Sequence, residues 1–132
     1  MRIAANPGLY DPTTDAPSLT GSRCSACGRV AFPAITIGCD QCGAEESTLE
    51  SAALGSSGTL YSFATVFLHH GDLEPPFTIG EVQLDAGPLI RVTMASVEPE
   101  LSIGETVHAI WHVARTDEYG DEVVEPVFVG GV

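Results

Sequence analysis

The chain has 132 residues, with 5 Lys+Arg against 18 Asp+Glu and a formal net charge of −13. All five basic residues are arginines, and the sequence contains no lysine. Proteins bind nucleic acids and anionic membrane surfaces through clusters of basic side chains, so this composition argues against both partners. A length in this range is typical of one domain, with or without a small appendage.

The sequence favours a cytoplasmic location. Residues 1–17 lack the apolar stretch of a signal peptide, and no apolar run approaches the roughly 18–20 residues of a membrane span. In the reducing cytoplasm, cysteines serve more often as metal ligands or free thiols than as disulfides. Residues 1–20 contain Pro7, Pro12 and Pro17 and show no helical or strand period. They predict an extended N-terminal arm, either mobile or ordered against a partner protein.

Residues 21–50 hold all four cysteines, in two C-x-x-C-G units whose cysteine pairs are separated by eleven residues. Two residues between cysteines allow a tight turn to bring both sulfurs to one metal ion at about 2.3 Å. The glycine after each pair suits a positive φ, which carries no side-chain penalty there. The two units predict a closed, structural zinc site in a rubredoxin-like ribbon, with four ligands: Cys24, Cys27, Cys39 and Cys42.

Other uses of the four cysteines are two disulfides, a thioredoxin-like redox centre or a rubredoxin-like iron centre. Nothing points to export, which disfavours disulfides. A redox centre places one C-x-x-C at the start of a helix, and no helical pattern follows either unit. Tetrahedral sulfur suits both zinc and iron, and the red colour of an iron protein distinguishes them.

The remaining residues, 51–132, predict a β-barrel. Residues 51–58 are small and flexible and predict a linker or turn, and no window beyond them carries an amphipathic helical stripe. Pro126 favours an edge position or a strand start, because proline donates no backbone hydrogen bond. The fold class is therefore mainly β: a small zinc ribbon followed by a five-stranded barrel. The predicted strands are Thr59–His69, Thr78–Leu84, Leu89–Ala95, Thr106–Val113 and Glu125–Val129.

The histidines do not predict a second metal site. His69 and His70 are adjacent at the end of a predicted strand, so their rings point to opposite faces and favour an exposed loop pair. His108 and His112 lie about 13 Å apart on an extended strand, too far for one ion, and favour a solvent or interface face.

No catalytic arrangement is found: the sequence lacks a nucleophile elbow, a phosphate loop and an H-E-x-x-H motif. The acidic run 117–122 predicts a solvated loop rather than a cation site, since its spacing does not match an EF-hand. Four aromatic residues are expected mostly in the barrel core, with one or two at a partner surface: Tyr61, Phe63, Phe67 and Trp111.

Across residues 21–130, an ordered series of motifs follows the cysteine units: RCSACGRVAFPAITIGCDQCG, GTLYSFATVF, PPFTIGEVQL, LIRVTM, LSIGETVHAIW and EPVFV. This series resembles the OB-fold acyl-CoA-associated zinc-ribbon family (domain-of-unknown-function family 35). The resemblance implies a rubredoxin-like ribbon fused to an OB-fold barrel, with Cys24, Cys27, Cys39 and Cys42 as metal ligands. It also implies a non-catalytic subunit that stabilises a thiolase-superfamily enzyme, such as a thiolase or sterol side-chain aldolase, and helps to shape its CoA-ester channel.

The chain departs from that family pattern at two places. Many relatives begin with an amphipathic helix, whereas residues 1–20 here are broken by prolines. Many also carry a Pro-Pro-Arg-like stretch between the cysteine pairs, whereas this chain keeps Pro33 but continues with Ala34 and Ile35. The second departure removes a basic residue that would meet a phosphate, so the partner is expected to hold most of the CoA.

Two functions from different classes follow. The first is an accessory subunit in a hetero-oligomer of two-fold symmetry with a thiolase-fold enzyme acting on acyl-CoA. The second is a stand-alone OB-fold module that binds an acyl ligand or, less favoured, single-stranded nucleic acid. The barrel contains only Arg91 and Arg115 as basic residues, which disfavours the nucleic-acid version.

Overall fold

A computed structural model describes residues 1–68, 71, 75–95 and 101–130. The regular structure in these ranges is almost entirely strand, with a single 3-10 turn at Glu46–Thr48. The described residues include no helix long and apolar enough to cross a membrane. The strands are β1 (Arg2–Ala4), β2 (Thr20–Cys24), β3 (Val30–Ala31), β4 (Leu49–Ala53), β5 (Ser57–Val66), β6 (Phe77–Leu84), β7 (Leu89–Met94), β8 (Thr106–Thr116) and β9 (Glu122–Gly130).

Strands β5 to β9 form a closed five-stranded barrel, as the sequence predicted. Neighbouring strands follow the order β9-β7-β6-β5-β8, and a β8–β9 pairing closes the ring. Alternate residues of each strand point inward, which is why β6 buries Val82 and Leu84 while Gln83 between them is exposed. The interior also contains Leu60, Val107 and Phe128, each at most 1% exposed.

The cysteine-rich segment forms a separate three-stranded sheet in the order β3-β2-β4. Residues 51–53 complete β4, so the prediction of a linker or turn across 51–58 was wrong at its start. Thr20 through Cys24 pair with Ala53 back to Leu49, and these five pairs give the small residues of β4 a structural role. Leu54, directly after β4, is buried in the same hydrophobic cluster as the barrel residue Leu60.

The N-terminal arm packs on the barrel and is not a free terminus. β1 pairs in parallel with Glu122–Val124 of β9. Tyr10 is 6% exposed, and its hydroxyl donates a 2.8 Å hydrogen bond to the Val124 carbonyl. No helical or strand period in the sequence predicts these contacts, because prolines interrupt the arm and only isolated residues of it pack on the barrel. The expectation of a mobile arm is therefore corrected.

Pro126 lies inside β9 and not at its start, but one side of the strand is unpaired at this residue, which fits the predicted edge position. It pairs with Trp111 of β8 on one side. On the other side, β1 pairs with β9 only as far as Val124, and β7 meets β9 only at Phe128. Proline is tolerated there because no described strand pairs with that side of residue 126.

Candidate metal centre

The two C-x-x-C-G units form turns, here called knuckles, with the same hydrogen bonds. In the first, the Gly28 N–H donates to the Cys24 carbonyl at 2.8 Å and the Cys24 N–H to the Arg29 carbonyl at 2.9 Å. In the second, Gly43 N–H donates to Cys39 O at 3.0 Å and Cys39 N–H to Ala44 O at 2.9 Å. Gly28 and Gly43 adopt φ values of 82° and 76°, which glycine reaches without strain.

The knuckles bring the four cysteine sulfurs together, all within 4.8 Å of one another. Cys24 Sγ lies 3.8 Å from Cys42 Sγ, and Cys27 Sγ lies 3.6 Å from Cys39 Sγ. A tetrahedral zinc ion at about 2.3 Å from each sulfur sets the sulfurs about 3.8 Å apart. The observed spacing therefore fits zinc with four thiolate ligands and leaves no position for a substrate.

Local hydrogen bonds give the thiols different proton affinities. The Thr48 hydroxyl, 3.6 Å from Cys24 Sγ, is the main cause that lowers the pKa of Cys24 to about 6. The Cys42 N–H, 3.5 Å from Cys39 Sγ, lowers the pKa of Cys39. At Cys42 the Ala44 N–H acts to lower the pKa, but desolvation and the other three thiols outweigh it and raise the pKa to about 12. A cation among the sulfurs favours the thiolate form of each.

One ion pair links the two knuckles beside the sulfurs. Arg29 Nε lies 3.1 Å from Asp40 Oδ1, and its Nη2 donates to the other carboxylate oxygen at 3.3 Å. This bidentate contact lowers the pKa of the Asp40 carboxyl and raises that of Arg29. Cys24 and Cys39 are buried whereas Cys27 and Cys42 are exposed, so one side of the cluster faces solvent.

Sequence reasoning missed four residues around the sulfurs. Gln41 Nε2 donates to Cys27 Sγ at 3.6 Å, while Thr48 contacts Cys24 from the 3-10 turn and Arg29 pairs with Asp40. Asp40 and Gln41 occupy the two variable positions of the second C-x-x-C. Their closeness in sequence to the cysteines could therefore have predicted that they lie beside the sulfurs. Thr48 carried no local signal, because its position depends on the 3-10 turn after Glu45 folding back onto the first knuckle.

The other candidates stay apart from this cluster. His108 and His112 both lie on β8, an extended strand as predicted, and His112 is exposed. The acidic run forms the β8–β9 turn, where Asp117 Oδ1 accepts the N–H groups of Tyr119 and Asp121, each at 2.9 Å. His69 and His70 lie outside the described residues.

The aromatic residues divide between core and surface. Phe63 and Trp111 pack against the core as partly buried side chains. Tyr61 is 61% exposed and Phe67 75% exposed, so these are the two of the four that lie at the surface. A β-bulge between Leu60 and Ser62 interrupts the alternation of inward and outward side chains along β5. Leu60 and Phe63 therefore both face the core although they are three residues apart, and Tyr61 faces outward. Phe67 lies beyond the end of β5 at Val66.

A four-cysteine ribbon packed against a five-stranded barrel defines the class of protein: a zinc-ribbon protein with an OB-like barrel. Residues 14–48 match a family model described as the ChsH2 rubredoxin-like zinc ribbon domain. The chain is 32% identical over 109 residues to a DUF35 domain-containing scaffold protein of Methanocaldococcus jannaschii, which covers 80% of this chain and 74% of that relative. The chain belongs to the DUF35 family.

Two further similarities concern proteins named for enzyme complexes. The chain is 35% identical over 81 residues to benzoylsuccinyl-CoA thiolase subunit BbsA of Thauera aromatica, covering 60% of this chain and 54% of that relative. It therefore spans about half the length of that relative. A solved structure called Ltp2-ChsH2(DUF35) aldolase is similar with a TM-score of 0.68 and 25% identity, covering 87% of this chain and 86% of that one.

Proposed function

We propose that this chain is a non-catalytic accessory subunit that binds and stabilises a thiolase-fold enzyme acting on acyl-CoA thioesters. The names of its relatives support this role, since they include scaffold proteins, a thiolase subunit and an aldolase assembly. The proposal includes one structural zinc ion held by Cys24, Cys27, Cys39 and Cys42, which fit it in number and spacing.

One surface observation carries the partner role. Phe67 and Leu68, here called the β5 tip, are 75% and 82% exposed directly after β5 ends. Two neighbouring large apolar side chains in water are costly, and aromatic residues are favoured at the centres of protein interfaces. The β5 tip is therefore the proposed contact with the enzyme subunit.

In this proposal the partner holds most of the CoA phosphates, and the charge distribution supports that division. Of the two barrel arginines, Arg91 lies 3.8 Å from Glu81 and Arg115 forms no ion pair within the described ranges. Three phosphates require more cationic contacts than these two side chains provide. The proposed direct role of this subunit is to line the acyl or pantetheine path with apolar strand residues.

Co-expression with a thiolase-fold enzyme encoded beside this chain tests the proposal. We expect a stable hetero-oligomer on size-exclusion chromatography. The double variant Phe67→Ser/Leu68→Ser should lose co-purification while keeping its circular dichroism spectrum. Tyr119→Ser is the matched control, because Tyr119 is 82% exposed but belongs to the β8–β9 turn.

One result would contradict this function, and another would exclude the proposed contact surface. One is a wild-type chain that stays monomeric beside every thiolase-fold neighbour. The other is a double variant that co-purifies as well as the wild type, which would exclude the β5 tip. Salt-sensitive retention of single-stranded oligonucleotides on a filter would instead support the nucleic-acid alternative.

A further inference from the structure

The barrel has a gap between two of its parallel strands, distinct from the metal centre. β7 and β9 pair only at Met94 and Phe128. β1 uses the same side of β9, but only along Glu122–Val124. In the described part of the chain, no strand pairs with residues 125–127 on this side of β9. Likewise, no described strand pairs with residues 89–93 of β7 on the side that faces away from β6. We call this gap the β7–β9 slot.

One part of the slot, here called the inner cavity, has a volume of about 170 Å³ and a mainly apolar lining, with four polar members: Asn6, Arg91, Thr93 and Glu125. The arm forms one wall with Leu9 and Tyr10, and the segment after β3 contributes Phe32. Ile90 and Phe128 form its barrel side. An apolar cavity of roughly 150 Å³ accommodates benzene, so this volume fits a group the size of a six-membered ring.

The neighbouring part of the slot is polar. An adjoining cavity shares Asn6, Thr93 and Glu125 with the inner one and adds His112 and Arg115. Arg115 offers N–H donors and has no ion pair among the residues that the structure describes, while Glu125 offers an acceptor. The unpaired strand edges add backbone donors and acceptors at the same place.

The charges around the polar part of the slot determine which polar group of a ligand it can bind. Arg91 also lines the inner cavity, but Glu81 lies 3.8 Å from it and offsets its charge. The Glu125 carboxylate and the net charge of −13 then disfavour an anionic ligand. A neutral amide presents one N–H side and one carbonyl side, which match Glu125 and Arg115 respectively. We propose that the β7–β9 slot binds a small neutral amide whose apolar end is no larger than a six-membered ring.

Benzamide and benzoate, which share one shape and differ in charge, test the proposal on the full zinc-loaded chain without any partner. We expect benzamide to bind about tenfold more tightly than benzoate by isothermal titration calorimetry. The backbone amide signals of Ile90, Val92 and Thr93 should shift in ¹H–¹⁵N spectra. Glu125→Gln should reduce the preference for benzamide, because it removes the repelling carboxylate.

A variant that fills the slot with a larger side chain tests whether benzamide binds there. Val92→Phe, which adds volume on the β7 side, should weaken benzamide binding at least about tenfold. Val113→Phe is the control, since Val113 is 44% exposed on β8 and does not line the inner cavity. If Val92→Phe does not fold, as judged by circular dichroism, Leu9→Phe fills the slot from the arm.

Three outcomes would overturn the proposal. They are no benzamide binding up to its solubility limit, equal binding of benzoate, and benzamide binding that survives filling of the slot. None of them bears on the accessory role, because the measurement contains no enzyme subunit. Conversely, loss of co-purification in the β5-tip variant leaves the slot proposal untouched.

Discussion

At the residue scale, the cation of Arg29 lies beside the four thiols. Its guanidinium pairs with Asp40, and it is also attracted by Cys39 and Cys27. A nearby positive charge favours thiolate over thiol, and thiolate is the form that binds a metal. Protons and zinc compete for the same sulfurs, so zinc is retained at high pH and released as the pH falls.

Arg29→Gln is therefore expected to release zinc at a higher pH than the wild type. Removing the cation takes away its attraction for the thiolates, so protons displace the metal earlier during acidification. A chromogenic zinc indicator followed through a pH titration measures the midpoint. Arg23→Gln is the control, because Arg23 is exposed on β2 and pairs with no carboxylate among the described residues. A midpoint unchanged in Arg29→Gln would contradict this role.

At the element scale, the N-terminal arm closes one side of the barrel through a few specific contacts. Trp111 Nε1 donates to the Thr14 carbonyl at 2.8 Å, and the Arg2 guanidinium donates to the same oxygen at 2.7 Å. Arg2 also lies 5.2 Å from the centroid of the Trp111 ring, a cation–π distance. The Tyr10 ring contacts Trp111 with centroids 5.6 Å apart. These contacts order a segment that has no period of its own.

Tyr10→Phe should lower the free energy of unfolding by about 1–3 kcal/mol, because it removes a buried hydroxyl with two hydrogen bonds. That hydroxyl accepts the Asn6 N–H at 3.1 Å and donates to Val124. Urea denaturation measures the loss, and limited proteolysis should show earlier cleavage in the arm. Tyr119→Phe is the control, since Tyr119 is exposed and should change stability little. Equal stability of the two variants would contradict a structural role for the arm.

At the scale of the whole molecule, the ribbon, arm and barrel share one hydrophobic cluster. Leu19 and Leu54 are buried in it together with barrel residues such as Leu60 and Phe128. Phe32, which follows β3, packs against the same cluster. The boundaries at residues 20 and 50 stay a prediction, but the shared cluster argues that these segments stabilise one another.

Metal removal is therefore expected to destabilise the whole chain and not the ribbon alone. Metal binding supplies on the order of 10 kcal/mol of folding free energy to small zinc modules. Calorimetry of the zinc-loaded chain should show one unfolding transition, which chelation or Cys39→Ser shifts to lower temperature. Ser25→Ala, beside the first cysteine, should keep the wild-type transition. Two transitions, with the upper one insensitive to chelator, would instead show an independent barrel.

The net charge of −13 also acts on the whole molecule. Four thiolates around one zinc ion add about two further negative charges. An OB-like barrel commonly binds single-stranded nucleic acid through a basic groove, and this chain lacks the residues for one. This charge therefore disfavours nucleic acid as a ligand of the barrel.

The sequence by itself determined the features that depend on short-range geometry. The C-x-x-C-G spacing specifies each knuckle, because the two backbone hydrogen bonds that close it lie within six consecutive residues. Aromatic and β-branched composition between turn signals likewise predicted the five barrel strands, because these residues favour extended backbone. The family resemblance, confirmed by the comparisons, rested on the order of these same local motifs.

Only the tertiary structure decided the features that depend on residues far apart in the chain. The arm is ordered because Tyr10 meets Val124, 114 residues away, and no local pattern encodes such a contact. The bulge at Leu60–Ser62 leaves Tyr61 exposed and Phe63 against the core although they are two residues apart, and no residue pattern announces this register shift. The β7–β9 slot exists because two parallel strands diverge from a single pairing, so its lining residues come together only when the barrel closes.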